Sequence, residues 1–209
     1  MPQPLLRTDR LLLEPLAEEH LDLEIELDSD AEVLRYLSSR AHTPEETRAK
    51  HAERLTRGRE VDGLGMWMGF LDDGRPADRT TFVGLYMLTP PHGPSQPRVP
   101  GLADLGYRIR RDRWRQGFAR EGSLELLRHA FETVALDRVI AQTMAVNAGS
   151  RAVMTSVGLT FVRPFTEDYD EPVPGSDQGE VEYAITRQQW LSQRNPAPSQ
   201  PPTDPGPAD

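Results

Sequence analysis

The chain has 209 residues, 37% hydrophobic and 27% charged, with a mean hydropathy of −0.59, a composition that fits one soluble domain of roughly 150–200 residues and excludes a mainly disordered chain. Cysteine is absent, which excludes disulfides, thiolate metal sites and acyl-cysteine chemistry. A formal charge of −9 opposes delocalised binding to nucleic acid or an anionic membrane. No stretch approaches the ~18 apolar residues of a membrane span, and the first residues lack a signal peptide's basic start and apolar core, so a cytoplasmic protein is expected.

In chain order, Arg10 to Pro15 reads as a short strand stopped by proline, and Glu18 to Leu27 as a helix. Thr43-Pro44-Glu45-Glu46 combines an N-cap threonine, proline at the first helical position and a glutamate closing a capping box, which predicts a helix from Pro44 to Arg57. Gly65 to Leu71 and Thr80 to Leu88, separated by the Asp72-Asp73-Gly74 turn signal, read as antiparallel strands. Five prolines between Thr89 and Gly101 make that segment a loop. Leu102 to Ile109 resumes a strand, and the spacing of Leu124, Leu127, Phe131 and Val134 marks an amphipathic helix starting near Gly117. Strands follow at Arg138 to Met144, Leu159 to Arg163 and Glu180 to Thr186, with a short helix from Ser150 to Val157 closed by Gly158. The β-α-β-α-β run predicts an α/β domain over residues 1–194. Six prolines among the last fifteen residues and no aromatic predict a disordered tail from Asn195 to Asp209.

Six arginines (Arg108, Arg110, Arg111, Arg113, Arg115, Arg120) face a single acid, Asp112, in a chain that is otherwise acidic, a pattern that points to a compact anionic ligand. They flank the strand-to-helix connection Trp114-Arg115-Gln116-Gly117-Phe118-Ala119-Arg120-Glu121. Gly117 and Ala119 let the backbone approach a ligand, and the first N–H groups of a helix have no intrahelical partner, so they can point at phosphate oxygens.

Several ordered motifs resemble the GNAT superfamily of acetyl-CoA-dependent N-acetyltransferases, and most of all its RimJ/RimL branch. They are Thr8-Asp9-Arg10-Leu11, Leu105-Gly106-Tyr107-Arg108-Ile109, the Trp114–Glu121 segment, Leu136-Asp137-Arg138-Val139, Asn147-Ala148-Gly149-Ser150-Arg151, Val157-Gly158-Leu159 and Tyr183 to Arg187 with Trp190. The resemblance spans about residues 5–191. It implies a twisted, mostly antiparallel sheet of about seven strands flanked by helices and splayed where the cofactor binds. It implies acetyl-CoA as co-substrate, with Arg115, Gln116, Gly117, Phe118, Ala119 and Arg120 around the pyrophosphate. The family pattern Q/R-x-x-G-x-G/A falls on Trp114 to Ala119, with Arg115 replacing a frequent glycine. It further implies that the backbone of Tyr107, Arg108 and Ile109 pairs with the pantetheine arm and that Asn147 contacts the cofactor.

Direct acetyl transfer must remove a proton from an amine that is mostly ammonium at neutral pH, and must stabilise or protonate the departing thiolate. By the same resemblance Asp104 is the candidate base, against its reading as an exposed acid at a strand end. A general-acid tyrosine is common on the helix after the asparagine, but Met154 occupies that place and cannot donate a proton. Ser150 remains as a donor to the leaving sulfur, competing with a purely local role as helix N-cap. The five histidines show no metal-ligand spacing and read as surface or helix-face residues. Trp67 and Trp114 read as core, and no metal is expected. The acidic run Glu167 to Glu171 is a solvated loop or an attractor of a cationic amine. The expected acceptor is a primary amine, on a small molecule or a protein N-terminus, and a homodimer is compatible with the resemblance. Two other classes stay open: a non-catalytic acyl-CoA sensor, favoured by Met154, and an anionic-polymer binder, opposed by the net charge.

Overall fold

The computed structural model describes residues 3–58, 60–167 and 171–194; the predicted tail and the centre of the acidic run lie outside these. In order, the elements are β1 (Leu6–Arg7), β2 (Leu11–Pro15), α1 (Leu21–Asp28, entered through a 3-10 turn), α2 (Ala31–Leu34), α3 (Pro44–Arg57), β3 (Gly65–Leu71), β4 (Phe82–Thr89), β5 (Leu102–Ile109), α4 (Phe118–Arg128), β6 (Arg138–Met144), α5 (Ala148–Ser156), β7 (Thr160–Phe165), β8 (Glu180–Thr186) and α6 (Arg187–Arg194). The strands form one eight-stranded sheet in the order β1-β2-β3-β4-β5-β6-β8-β7, in which only the β5–β6 pairing is parallel.

Each face of the sheet is covered, which is why β3 and β4 read as nearly unbroken apolar runs rather than alternating ones. The larger cluster gathers Trp67, Tyr86, Leu105, Phe131, Val139 and Trp190 around α4 and α5. On the other face Leu27 of α1 meets Met66, Met68, Phe70, Phe82 and Leu85. The capping box at Thr43 and Glu46 is present and starts α3 as expected. The extended helix read through Val134 ends instead in a π-helical turn, His129–Thr133. There Val134 N donates to His129 O at 3.0 Å, and the change lets Leu136 N reach Ala130 O at 2.9 Å. Two-residue β1, four-residue α2 and α6, with one buried residue in eight, carry too little periodicity to be read from sequence.

Tyr86 of β4 fixes the height of α4 above the sheet. The ring is fully buried and its hydroxyl donates to Phe118 O at 3.0 Å, in the first turn of the helix that follows the arginine-rich connection. Gly122 makes this approach possible, because a Cβ there would lie 2.2 Å from Tyr86 Cε1. Alanine is the better helix former by roughly 0.5–1 kcal/mol, but overpacking a rigid buried ring costs about 1–3 kcal/mol. Gly122→Ala is therefore expected to lower the melting temperature by several degrees, at about 2–4 °C per kcal/mol for a domain of this size; an unchanged or raised melting temperature in calorimetry would show that α4 is free to ride outward.

Candidate active site

β5 and β6 are paired only from Leu102↔Arg138 to Asp104↔Ile140. Beyond that point β5 runs on along β4 to Ile109, while β6 runs on along β8 to Met144, so a wedge opens between them with Asp104 at its apex. The β4–β5 register decides which backbone groups face the wedge. Arg110 N donates to Val83 O at 2.9 Å, and bonded pairs alternate along an antiparallel ladder. Gly106, Arg108 and Arg110 thus direct their backbone groups to β4, whereas Leu105, Tyr107 and Ile109 turn theirs to the open side. At the far end Trp114 Nε1 takes Ile109 O at 2.7 Å, closing the edge. Trp114 is 41% exposed, so it is a lid on the strand end and not the core residue expected; Trp67 is core.

This register corrects the expectation for Arg108, whose backbone points to β4. Its side chain lies on the opposite face of the sheet, buried against Asp28 of α1. Arg54 of α3 reaches Asp28 at 3.1 Å and also pairs with Glu24, which in turn binds His51. That buried network ties α1 and α3 to β5. His20, His51 and His129 are all buried, which removes the surface alternative and leaves them on inward helix faces: the apolar surroundings lower His20 and His129 below the usual imidazole value.

The loop before α4 has two residues in the left-handed region, Arg115 at φ 58° and Gly117 at φ 86°. For Arg115 this conformation costs about 1–2 kcal/mol, which is why glycine is the easier residue there. No side chain caps α4 at Gly117, so the N–H groups of Phe118, Ala119 and Arg120 are left to a ligand. Glu121 does not fold back over them. Its carboxylate instead takes Thr8 Oγ1 at 2.5 Å, Arg10 N at 2.9 Å and Arg10 Nε at 2.7 Å. Arg10 Nη1 also donates to Gln116 O at 3.1 Å, with its guanidinium 4.6 Å from the Phe118 ring centre. The N-terminal Thr8-Asp9-Arg10 turn is therefore a clamp on the loop before α4, a link that no local spacing reveals. The arginine cluster is smaller than its sequence count: Arg108 is buried, Arg110 and Arg113 bind Arg79 O and Thr80 O, and Arg111, Arg115 and Arg120 remain exposed. Gln116 Nε2 donates to Asp112 O at 2.9 Å, so its side chain shapes the loop from within.

On the face of the sheet that carries α1, Asp104 Oδ2 accepts from Gln96 Nε2 at 2.9 Å. Burial, reinforced by Glu182, pushes the Asp104 carboxyl up to about 7, the Gln96 hydrogen bond acting in the opposite sense. That is the range in which a carboxylate is both available and basic enough to take a proton near neutral pH. It is not the exposed strand-end acid of the alternative reading.

On the opposite face Tyr107 Oη lies 3.1 Å from Ser150 Oγ and 3.2 Å from Ser150 O. Burial holds the Tyr107 phenol up at about 12, fully protonated. The N-cap of α5 is Asn147, not Ser150: Asn147 Oδ1 accepts from Ser150 N at 3.1 Å and Asn147 Nδ2 donates to Thr143 Oγ1 at 3.0 Å. Ser150 thus has no capping duty, and Asn147 has its side chain committed to building the helix start. Met154 is 2% exposed and part of the core, so no group there can serve the chemistry. Gln96 and Gln142 were not anticipated, since a glutamine in a proline-rich loop carries no motif of its own.

An acetyltransferase (GNAT) domain model matches residues 10–160. A relative in Aspergillus fumigatus, FsC-acetyl coenzyme A-N(2)-transacetylase, is 38% identical over 198 residues, covering 93% of this chain and 81% of its own. The solved structure of spermidine N-acetyltransferase from Vibrio cholerae, in complex with CoA and spermine, aligns with a TM-score of 0.69 at 14% identity, over 88% of this chain and 99% of that one. RimL, a ribosomal-protein α-N-acetyltransferase in complex with coenzyme A, aligns with a TM-score of 0.69 at 18% identity, over 88% and 98%. At those identities the shared property is the fold. With a family model over most of the chain and a transacetylase relative along nearly all of it, the chain belongs to the GNAT acetyltransferase family and is an acetyl-CoA-dependent N-acetyltransferase.

Proposed function

We propose that the acceptor is a primary amine carried by a small molecule, entering from the Asp104 face of the sheet, and that acetyl passes to it directly. The observation that carries this is the position of Asp104, a carboxyl raised to about 7 at the apex of the β5–β6 wedge. The open backbone groups of Tyr107, the N–H of Ile109 and the uncapped start of α4 fit an extended arm leading to a pyrophosphate, as in acetyl-CoA. Arg115 and Arg120 add positive charge beside it. In this reading Asp104 takes the ammonium proton, directly or through a water, the neutral amine attacks the thioester carbonyl, and the C–S bond breaks as the nitrogen's second proton passes to the departing thiolate, which Ser150, on the other face, steadies with a hydrogen bond. Tyr107, hydrogen-bonded to Ser150, holds that hydroxyl in place. The two proton tasks thus fall on opposite faces of one sheet, joined by the wedge.

The name of the Aspergillus relative specifies an N(2) atom as the one acetylated, which supports a small-molecule amine over the ribosomal N-terminus of the RimJ/RimL branch. The test is thiol release from acetyl-CoA against a panel of primary amines, their N,N-dimethyl counterparts and N-terminal peptides. Turnover with small primary amines and none with the dimethyl compounds is expected. Preference for the peptides would return the chain to the RimJ/RimL reading, and acetyl-CoA binding without turnover on any amine would favour the sensor.

A further inference from the structure

Gln96, in the loop between β4 and β5, reaches Asp104 at the apex of the wedge. Gln96 Oε1 accepts from His92 N at 2.8 Å and Gly93 N at 2.9 Å, while Gln96 Nε2 donates to Asp104 Oδ2 at 2.9 Å and Gln142 Oε1 at 3.0 Å. Every hydrogen-bonding position of the amide that these four contacts use is matched in sign, and a flipped amide would set N–H against N–H and oxygen against carboxylate. The amide therefore has one orientation. Gln142 extends the chain to Glu182 Oε2 at 3.0 Å; Arg163 Nη2 reaches the same carboxylate at 3.1 Å and returns to the loop at Ser95 O, 3.3 Å away. The connection from the loop through β6, β8 and β7 back to the loop is closed.

Gln96 stands where the ladder between β5 and β6 has ended. Asp104↔Ile140 is the last backbone pair, and Gln142 is two residues further along β6 on the same face. The side-chain bridge replaces the missing backbone pair on the acceptor side. Among the described residues Asp104 Oδ1 takes no hydrogen bond, so the carboxylate is held by one oxygen and presents the other.

We infer that Gln96 is a positioning residue for acetyl transfer, fixing the Asp104 carboxylate across the mouth of the wedge with Oδ1 turned to the incoming amine. The inference rests on the reading of Asp104 as the base. The charged groups facing this position are Glu182 on β8, with Arg163 of β7 and Arg138 of β6 on its carboxylate, and Glu167, tied to the loop through Ser95 Oγ at 2.6 Å; Thr89 of β4, opposite Asp104, is neutral. Donation from Gln96 Nε2 favours the charged carboxylate, so its loss shifts the titration upward.

Gln96→Leu removes the amide and leaves an apolar side chain one bond shorter; Gln142→Met removes only the β6 end and serves if the first variant does not fold. The readout is the carbon NMR titration of the Asp104 carboxyl, assigned by its disappearance in Asp104→Asn and independent of any acceptor, alongside kcat/KM against pH for the best amine of the panel. Gln96→Leu is expected to raise the Asp104 midpoint by about one unit, to move the acidic limb of kcat/KM by the same amount and to lower kcat about tenfold at neutral pH. The KM for acetyl-CoA should stay unchanged. Gln142→Met, which loosens the amide without removing it, is expected to give a smaller shift of the same sign. A wild-type midpoint and kcat in a folded Gln96→Leu variant, or in Gln142→Met where only that folds, overturns the inference while leaving the base intact. An acidic limb that persists in Asp104→Asn overturns the base assignment beneath it.

Discussion

Asp104→Asn is expected to lower kcat by about 10²- to 10⁴-fold, the range of a lost general base, while acetyl-CoA binds as in the wild type. The deficit should narrow above about pH 9, where a growing share of the amine is already neutral. Wild-type kcat/KM should fall as pH drops below about 7, following protonation of the Asp104 carboxyl. The same shift predicts a change in stability. The carboxyl sits near 7 in the folded chain and near 3.9 when unfolded, so the native state holds the proton more tightly. Its stabilising contribution is present below the unfolded value and is lost as pH rises through 7. Asparagine is neutral throughout and escapes that cost. The variant should therefore melt above the wild type at pH 8, the gap closing toward pH 4, as measured by calorimetry across pH. A slow, stabilised enzyme is the signature of a carboxylate kept for chemistry. Full activity across the pH range would move proton removal to another carboxylate or to solvent.

Gly117→Leu is expected to weaken acetyl-CoA binding by at least about tenfold, the value of one lost charge-assisted contact, with a smaller effect on kcat at saturation. Gly117 has φ 86°, where a side chain is strained, and a Cβ would stand 3.3 Å from Arg10 Nη2. The guanidinium cannot simply swing away, because Glu121 and Gln116 O hold it. Leucine must therefore displace either the clamp or the loop, and its branches lie over the N–H groups at the start of α4. Calorimetric titration with coenzyme A reads the loss; affinity equal to wild type in a folded variant would place the pyrophosphate elsewhere.

How far the sequence carried depended on whether a signal was local. Thr43 with Glu46, Gly117 at the start of α4 and the apolar runs of β3 and β4 express themselves within a few residues, and the structure has them where they were read. Asp104 was legible only by resemblance, since nothing in Ala103-Asp104-Leu105 distinguishes a carboxyl with a raised pKa from an exposed acid; what raises it is burial, with Glu182, far along the chain, adding to it. The Arg10–Glu121 and Gln96–Asp104–Gln142 contacts join separate elements and leave no periodic trace. Arg108 shows the converse error. Counted by proximity it belonged to a basic patch, but its side chain is buried against Asp28 of α1, so closeness in sequence did not make it part of that surface. Ser150 was displaced as cap because Asn147 reaches Ser150 N first.

The central claim is that the cofactor lies along the free edge of β5 and ends at the uncapped start of α4. Amide-resolved hydrogen exchange with and without saturating coenzyme A tests it residue by residue. The amides of Tyr107 and Ile109, and of Phe118, Ala119 and Arg120, are expected to exchange more slowly with coenzyme A bound. The Arg108 amide, already directed to β4, should change little. Slowing at Arg108 with none at Tyr107 and Ile109, or no change along both segments, would contradict the account.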